Sequence, residues 1–330
     1  MIGTTETERA GLQRLTGETW EARIAVLIPC LNEEATIAKV VADFCETLPG
    51  AAIYVYDNNS RDGTVMAARA AGASVRSEPM QGKGNVVRRM FADIDADIYI
   101  LVDGDDTYDA TAALALVSHL IEHRLDLVSA SRISERADVY RPGHRAGNVL
   151  LTRLVAHLFG NRFTDMLSGY KVLSRRFVKS FPITASSGFE IETEITIHAL
   201  ELNMPAGELP TSYKERPEGS VSKLRTFRDG WRIVWTIFLL TKEERPLAFF
   251  STFFALFAGA SLILAAPIVV TFIETGIVPR LPTAVLATGG MLVAFLSLVC
   301  GLILDTVARG RREMKRLHYL MLSSPHGAER

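Results

Sequence analysis

Short apolar runs alternate with longer amphipathic stretches along the first part of the chain. The runs Ile24–Pro29, Ala52–Asp57, Asp97–Asp103 and Leu125–Ala130 have the length and content of strands. Between them, Glu34–Leu48, Gly63–Ala71, Asn85–Ile94 and Ala110–Glu122 carry apolar residues at helical spacing. A strand–helix series of this kind predicts an α/β domain on a mostly parallel sheet with helices on both faces. Ligands of such sheets bind beyond the carboxyl ends of the strands. Those ends are polar here: Pro29-Cys-Leu-Asn-Glu33, Asp57-Asn-Asn-Ser-Arg-Asp-Gly-Thr64 and Asp103-Gly-Asp105. Three polar clusters are therefore expected on one rim.

The pattern changes in the last third. From Pro246 to Ile273 no residue carries a formal charge, and as a helix this stretch would reach ~42 Å, more than a hydrocarbon core of ~30 Å. A second uncharged run, Leu281–Leu304, follows a connection, Glu274–Arg280, that is short enough for a tight hairpin. Lys242 and Arg245 precede the first run, and Arg309, Arg311, Arg312, Lys315 and Arg316 follow the second, whereas the connection holds only Arg280. The positive-inside rule then puts both ends of the hairpin, and the large amino-terminal part, in the cytoplasm. Just before the hairpin, Leu224, Phe227, Trp231, Val234, Trp235 and Phe238 recur at helical steps opposite Arg225, Arg228 and Arg232, which predicts an amphipathic helix in the membrane interface. Met1–Arg23 is polar and does not read as a secretory signal.

Composition narrows the chemistry. A formal net charge of -1 over 330 residues argues against nucleic acid as a partner. Cys30, Cys45 and Cys300 have no ligand-like spacing and are odd in number, so neither a zinc site nor a disulfide framework is implied. No Gly-x-Gly-x-x-Gly follows the first strand and no P-loop is present, which excludes those phosphate-binding devices. Asp103, Asp105 and Asp106 crowd one strand end, and such a cluster is unfavourable unless it is solvated, capped or neutralised by a cation. An acidic pair at a strand end suits Mg²⁺ or Mn²⁺ shared with substrate phosphates.

The motifs Ile28-Pro-Cys-Leu-Asn-Glu33, Tyr56-Asp-Asn-Asn-Ser-Arg-Asp-Gly-Thr64, Gly82-Lys-Gly84 and Asp103-Gly-Asp105, in this order, resemble those of GT-A fold family 2 glycosyltransferases. The likeness is strongest to the polyprenyl-phosphate, dolichol-phosphate mannose synthase-like branch. Ser131-Arg132, Arg145-Ala-Gly-Asn148, Ser168-Gly-Tyr-Lys171 and Arg216-Pro-Glu-Gly-Ser-Val-Ser-Lys223 extend it. The resemblance implies that Pro29, Asn32, Glu33 and Asp57 border the nucleotide, that Lys83 lies near the donor, and that Asp103 and Asp105 bind the metal. It implies Arg132 and Arg145, with Ser168 and Lys171, at the acceptor phosphate, and Arg216, Ser222 and Lys223 on a loop that closes over the donor. One departure stands out: dolichol-phosphate mannose synthases carry glutamine where this chain has Thr107. The Gln-x-x-Arg-Trp motif of processive synthases is absent, and two spans are too few for an export channel.

The resulting expectation is a metal-dependent, inverting transfer of one sugar from a nucleotide-sugar, UDP-glucose first and GDP-mannose second, to polyprenyl phosphate. Its setting would be the cytoplasmic face of the inner membrane. A transferase acting on another lipid such as diacylglycerol, and a non-catalytic nucleotide-binding scaffold, are the alternatives. The expected organisation is an extension over 1–22, a GT-A catalytic domain over 23–223, the interfacial helix over 224–245, the hairpin over 246–305 and a basic tail over 306–330. Self-association as a homo-oligomer is left open by the sequence.

Overall fold

The computed structural model describes residues 22–133, 163–182, 191–214, 235, 238–239 and 241–323. The chain divides into two compact units, Met1–Ile233 with Lys315–Arg330, and Val234–Met314.

In the first unit the described elements run β1 (Ile24–Cys30), α1 (Ile37–Thr47), β2 (Ala52–Asp57), α2 (Thr64–Ala70), β3 (Ser74–Ser77), α3 (Lys83–Asp93), β4 (Ile98–Leu101), α4 (Ala112–Glu122) and β5 (Leu127–Ile133). They continue with β6 (Lys171–Ser174), α5 (Arg175–Ser180), α6 (Ile191–Glu201) and β7 (Ala206–Ser212). The strand order is β3-β2-β1-β4-β6-β5-β7. Pairing is parallel throughout except at β6, which runs antiparallel to both β4 and β5. The sheet is therefore mixed, because the chain enters β6 from the rim and must run back down the sheet. The strands β3, β6 and β7 escape the period-two pattern. β3 has one apolar residue, β6 has four residues in all, and β7 carries Gly207 and Pro210, which an edge strand tolerates.

Alternation along the strands builds two apolar layers. Val26 and Ile28 of β1, Ile98 and Ile100 of β4 and Val172 of β6 join Ile37, Val41 and Phe44 of α1 and Leu116 and Leu120 of α4 in one buried cluster. The intervening Ala25, Leu27, Tyr99 and Leu101 are equally buried and face the other layer, where α3 contacts β1, α5 and α6. Strand order reverses at β1: the chain steps outward to β2 and β3, then restarts on the opposite side with β4. Such a reversal opens a crevice at the carboxyl ends of the two strands involved.

The first unit also takes in residues from the end of the chain. Tyr319 is buried and donates its hydroxyl hydrogen to Asp126 Oδ2 at 2.6 Å. Asp126 is fully buried, and its carboxylate also accepts from Arg176 Nη2 at 2.7 Å and Ser174 Oγ at 2.6 Å. The Arg176 guanidinium lies 4.3 Å from the centroid of the Tyr319 ring, and Lys315 pairs with Glu201 at 2.7 Å. A buried carboxylate without partners would be costly, so this contact makes the late residues part of the domain.

In the second unit, α7 (Pro246–Thr275) and α8 (Leu281–Met321) are each long and apolar enough to cross a membrane. α7 starts with Pro246 in its first turn and stops at Gly276, whose φ of 70° suits glycine. Ala287, Ala294, Gly301 and Ala308 repeat every seven residues along α8. The three alanines are buried, and a side chain on Gly301 would come within 2.9 Å of Phe250 Cβ. Small residues thus let the two helices pack closely. The expected span ended at Leu304, but α8 continues, helped by the Asp305–Arg309 pair at 2.8 Å. The expected interfacial helix, 224–245, lies largely outside the described residues.

Replacing Tyr319 with Phe is expected to lower the unfolding free energy of the detergent-solubilised protein by about 1.5 kcal/mol, the contribution of one hydrogen bond to a buried charge. Urea unfolding followed by circular dichroism measures it.

Candidate active site

The loops leaving β1 and β2 are stitched together. Asn32 adopts a left-handed φ of 50°. Its N–H donates to Ser60 Oγ and its Oδ1 accepts the Arg61 N–H, both at 2.8 Å. Glu33 is buried, and its N–H donates to Thr64 Oγ1 at 2.8 Å. A side chain on Gly63 would run into Glu34, whose Oε2 accepts the Gly63 N–H at 2.9 Å. Pro29, Asn32 and Glu33 are thereby held beside the loop that carries Asp57. Asp57 is itself buried, and its carboxylate accepts the Ser60 N–H at 3.2 Å, closing the turn.

The next residue organises the third side of the rim. Buried Asn58 donates from Nδ2 to the carbonyls of Glu78 and Met80 at 2.9 and 2.8 Å, and its Oδ1 accepts the Gly82 N–H at 2.7 Å. Gly82 has a φ of 128°, a conformation that L side chains rarely adopt. These bonds set where α3 begins, and Lys83 is its first residue. Lys83 Nζ lies 2.5 Å from Asp103 Oδ1 and also pairs with Glu192 Oε1. Burial works against the ammonium, but the carboxylates of Asp103 and Glu192 outweigh it and hold Lys83 above the ordinary lysine range. Burial raises the Glu192 carboxyl, and Lys83 opposes that rise.

Asp103 and Asp105 follow β4 on one tight turn. Gly104 is required there, since a Cβ would lie 2.7 Å from Cys30 Sγ on the neighbouring strand. The Gly104 carbonyl accepts from Thr36 Oγ1 at 2.7 Å. Asp105 is buried, and its Oδ1 accepts the Thr107 hydroxyl at 2.6 Å. Thr107, which departs from the glutamine of the resembled synthases, therefore orients the second aspartate. Asp106 turns away at a φ of 55° to pair with Lys39 at 2.8 Å. A Cβ on Gly169 would strike the Asp103 carboxylate, so the glycine of Ser168-Gly-Tyr-Lys171 packs against Asp103.

On the β5 side, Arg132 closes a bidentate pair with Asp165, Nε to Oδ2 at 2.7 Å and Nη2 to Oδ1 at 2.8 Å. Its guanidinium lies 5.5 Å from the centroid of Tyr213. Tyr108 packs on Tyr213 and its hydroxyl accepts the Gly169 N–H at 2.8 Å. Ser168 and Lys171, expected at an acceptor phosphate, are fully buried. Lys171 Nζ is bonded to the Ser129 and Thr196 hydroxyls at 3.2 and 3.3 Å. Arg145, Arg216, Ser222 and Lys223 lie outside the described residues.

The structure thus gathers Pro29, Asn32, Glu33, Asp57, Lys83, Asp103 and Asp105 on one rim, with Arg132 at the end of β5. Sequence reading missed Asn58, Asp165 and Glu192. The signal for Glu192 is a carboxylate within a helix buried nearly all round, where a charge needs a partner. Among the described residues no three His, Cys, Asp or Glu side chains gather to hold a metal. Asp103 and Asp105 supply hard oxygen ligands from one turn, a donor set that fits Mg²⁺ or Mn²⁺ when phosphate oxygens and water complete it.

The sequence profile of the family described as Glycosyl transferase family 2 matches residues 25–181. The chain is similar to glycosyltransferase AglJ of Haloferax volcanii, 34% identical over 308 residues, covering 90% of this chain and 98% of that one. It is also similar to a dolichyl-phosphate hexose transferase of the same organism, 31% identical over 222 residues, covering 67% of this chain and 95% of that protein. Among solved structures, Mycobacterium tuberculosis glucosyl-3-phosphoglycerate synthase with Mn²⁺, uridine diphosphate and phosphoglyceric acid matches with a TM-score of 0.56 and 23% identity. The match covers 72% of this chain and 84% of that one. The expected GT-A architecture is the fold these chains share.

Burial pushes the Lys171 ammonium down to about 8. The unfolded chain keeps this proton up to the ordinary value of 10.5 while the folded protein has released it, so stability should rise with pH between those values. Lys171→Met is expected to stabilise the protein at pH 7 and to flatten that rise. Thermal unfolding from pH 7 to 10.5 checks both.

Proposed function

The chain belongs to glycosyltransferase family 2, and from that footing we propose that it transfers one sugar from a nucleotide-sugar to polyprenyl phosphate at the cytoplasmic face of the membrane. The observation that carries the lipid part is that one chain holds both the acidic rim and two helices long and apolar enough to span a bilayer. A relative named as a dolichyl-phosphate hexose transferase supports it. UDP-glucose is the first donor to test and GDP-mannose the second.

In this reading the nucleotide lies along Pro29–Glu33 and Asp57, and its diphosphate approaches Lys83, Asp103 and Asp105. A divalent cation held by the two aspartates would neutralise charge on the departing nucleoside diphosphate. The lipid phosphate is already ionised, so its oxygen can form the bond to the anomeric carbon without a strong general base. The bond to the nucleoside diphosphate breaks as that bond forms, and in-line geometry inverts the centre. Positioning and charge neutralisation are then what the protein must supply. Arg132 and Arg145 are assigned to the acceptor phosphate, the first oriented by Asp165, while Arg216, Ser222 and Lys223 close over the donor.

The test incubates the full-length protein in detergent with undecaprenyl phosphate, Mg²⁺ or Mn²⁺, and a panel of radiolabelled sugar nucleotides. One donor should yield a lipid product labile to mild acid. An acid-stable product would point to a lipid without the phosphodiester, and no transfer from any donor would favour the scaffold. Asp103→Ala and Asp105→Ala should each lower turnover about a hundredfold or more while circular dichroism stays unchanged.

A further inference from the structure

Lys83 is shared between two carboxylates of different character. Its side chain is 9% exposed, between Asp103 at 30% and Glu192 at 5%. One partner faces the rim and the other is sealed in the first turn of α6. We propose that Lys83 is a built-in cation that neutralises Asp103 until the divalent ion and donor arrive, with Glu192 as the anchor that retains it once it lets go. This rests on the metal-dependent donor reading above.

Charge balance motivates the idea. Asp103 and Glu192 are like charges, and the Lys83 ammonium stands between them, paired with both. Its Nζ, at 2.5 Å from Asp103 Oδ1, occupies the side of that oxygen that a hard cation would use. A metal ion arriving alone must displace a charge-assisted contact that lies partly out of water. Movement of Asp103 toward Gly169 is blocked, because its carboxylate already packs against that glycine. The backbone of Lys83 is equally fixed by the bond from the Gly82 N–H to Asn58. Exchange is therefore a movement of the Lys83 ammonium, from Asp103 toward Glu192 and an arriving diphosphate. A diphosphate supplies the anion that replaces Asp103, so nucleotide and metal should each strengthen the binding of the other. After the nucleoside diphosphate leaves, Lys83 returns to Asp103 and the cation is released with the product. In this account Lys83 contacts the donor diphosphate itself, and Glu192, which acts through Lys83, is a positioning residue.

The experiment is a Mn²⁺ titration of the full-length, detergent-solubilised protein, read by the paramagnetic resonance signal of free Mn²⁺, with and without UDP. The wild type should bind Mn²⁺ weakly alone, and UDP should tighten binding. Lys83→Met should raise affinity for Mn²⁺ alone by about tenfold and shrink the effect of UDP. Glu192→Gln removes the anchor, commits Lys83 to Asp103 and should lower affinity for Mn²⁺ alone. Lys83→Arg should stay close to the wild type. A purely structural lysine predicts unchanged or weaker Mn²⁺ binding in Lys83→Met, and that result overturns the proposal. If Lys83→Met does not fold, the double variant Lys83→Met with Glu192→Gln removes the buried pair together and carries the same expectation of tighter Mn²⁺ binding. Absence of Mn²⁺ binding to the wild type at every UDP concentration would overturn this proposal along with the metal reading. Mn²⁺ binding with UDP but no gain in Lys83→Met would overturn this proposal alone.

Discussion

Two carboxylates on one turn at the end of the central strand β4 repel each other. Asp105 is buried and steadied by the Thr107 hydroxyl, while Asp103 is neutralised by Lys83. The surrounding architecture follows from meeting that charge. Gly104 allows the turn to pass Cys30, Gly169 makes room for the Asp103 carboxylate, and Asn58 fixes the start of the helix that delivers the lysine. The reversal of strand order beside β1 places this turn at the crevice where open α/β sheets bind ligands.

The rim was legible in the sequence because its parts are local. A strand ending in Asp-Gly-Asp, or in Asp-Asn-Asn-Ser, declares its polar terminus within a few residues, and the sheet brings such termini together. Asn58 stood inside a recognised motif, but its bonds to the 78–82 loop depend on a long-range approach that spacing does not encode. Glu192 and Asp165 meet Lys83 and Arg132 across long sequence separations, and nothing near them in sequence marks those partners. The family resemblance implies a phosphate ligand at Lys171, whereas the structure buries Lys171 fully, with its ammonium on the Ser129 and Thr196 hydroxyls. The edge strands β3 and β7 went unseen because they lack the apolar period that reveals central strands.

The apolar hairpin was legible for a different reason: long runs without charge are rare outside membranes. Less visible was the role of the residues that follow it. Arg311, Lys315 and Arg316 read as a basic tail, yet Lys315 and Tyr319 satisfy Glu201 and Asp126, both buried carboxylates of the first unit. The chain therefore completes its first domain only after it has built its second unit.

The measurement that tests this account most directly is calorimetric titration of UDP into the full-length protein, once with Mn²⁺ or Mg²⁺ and once with a chelator. If the paired carboxylates at the end of β4 define the site, UDP should bind tightly only when the divalent ion is present, and the dependence should vanish in Asp105→Asn. Equal UDP affinity with and without the cation in the wild type would contradict it.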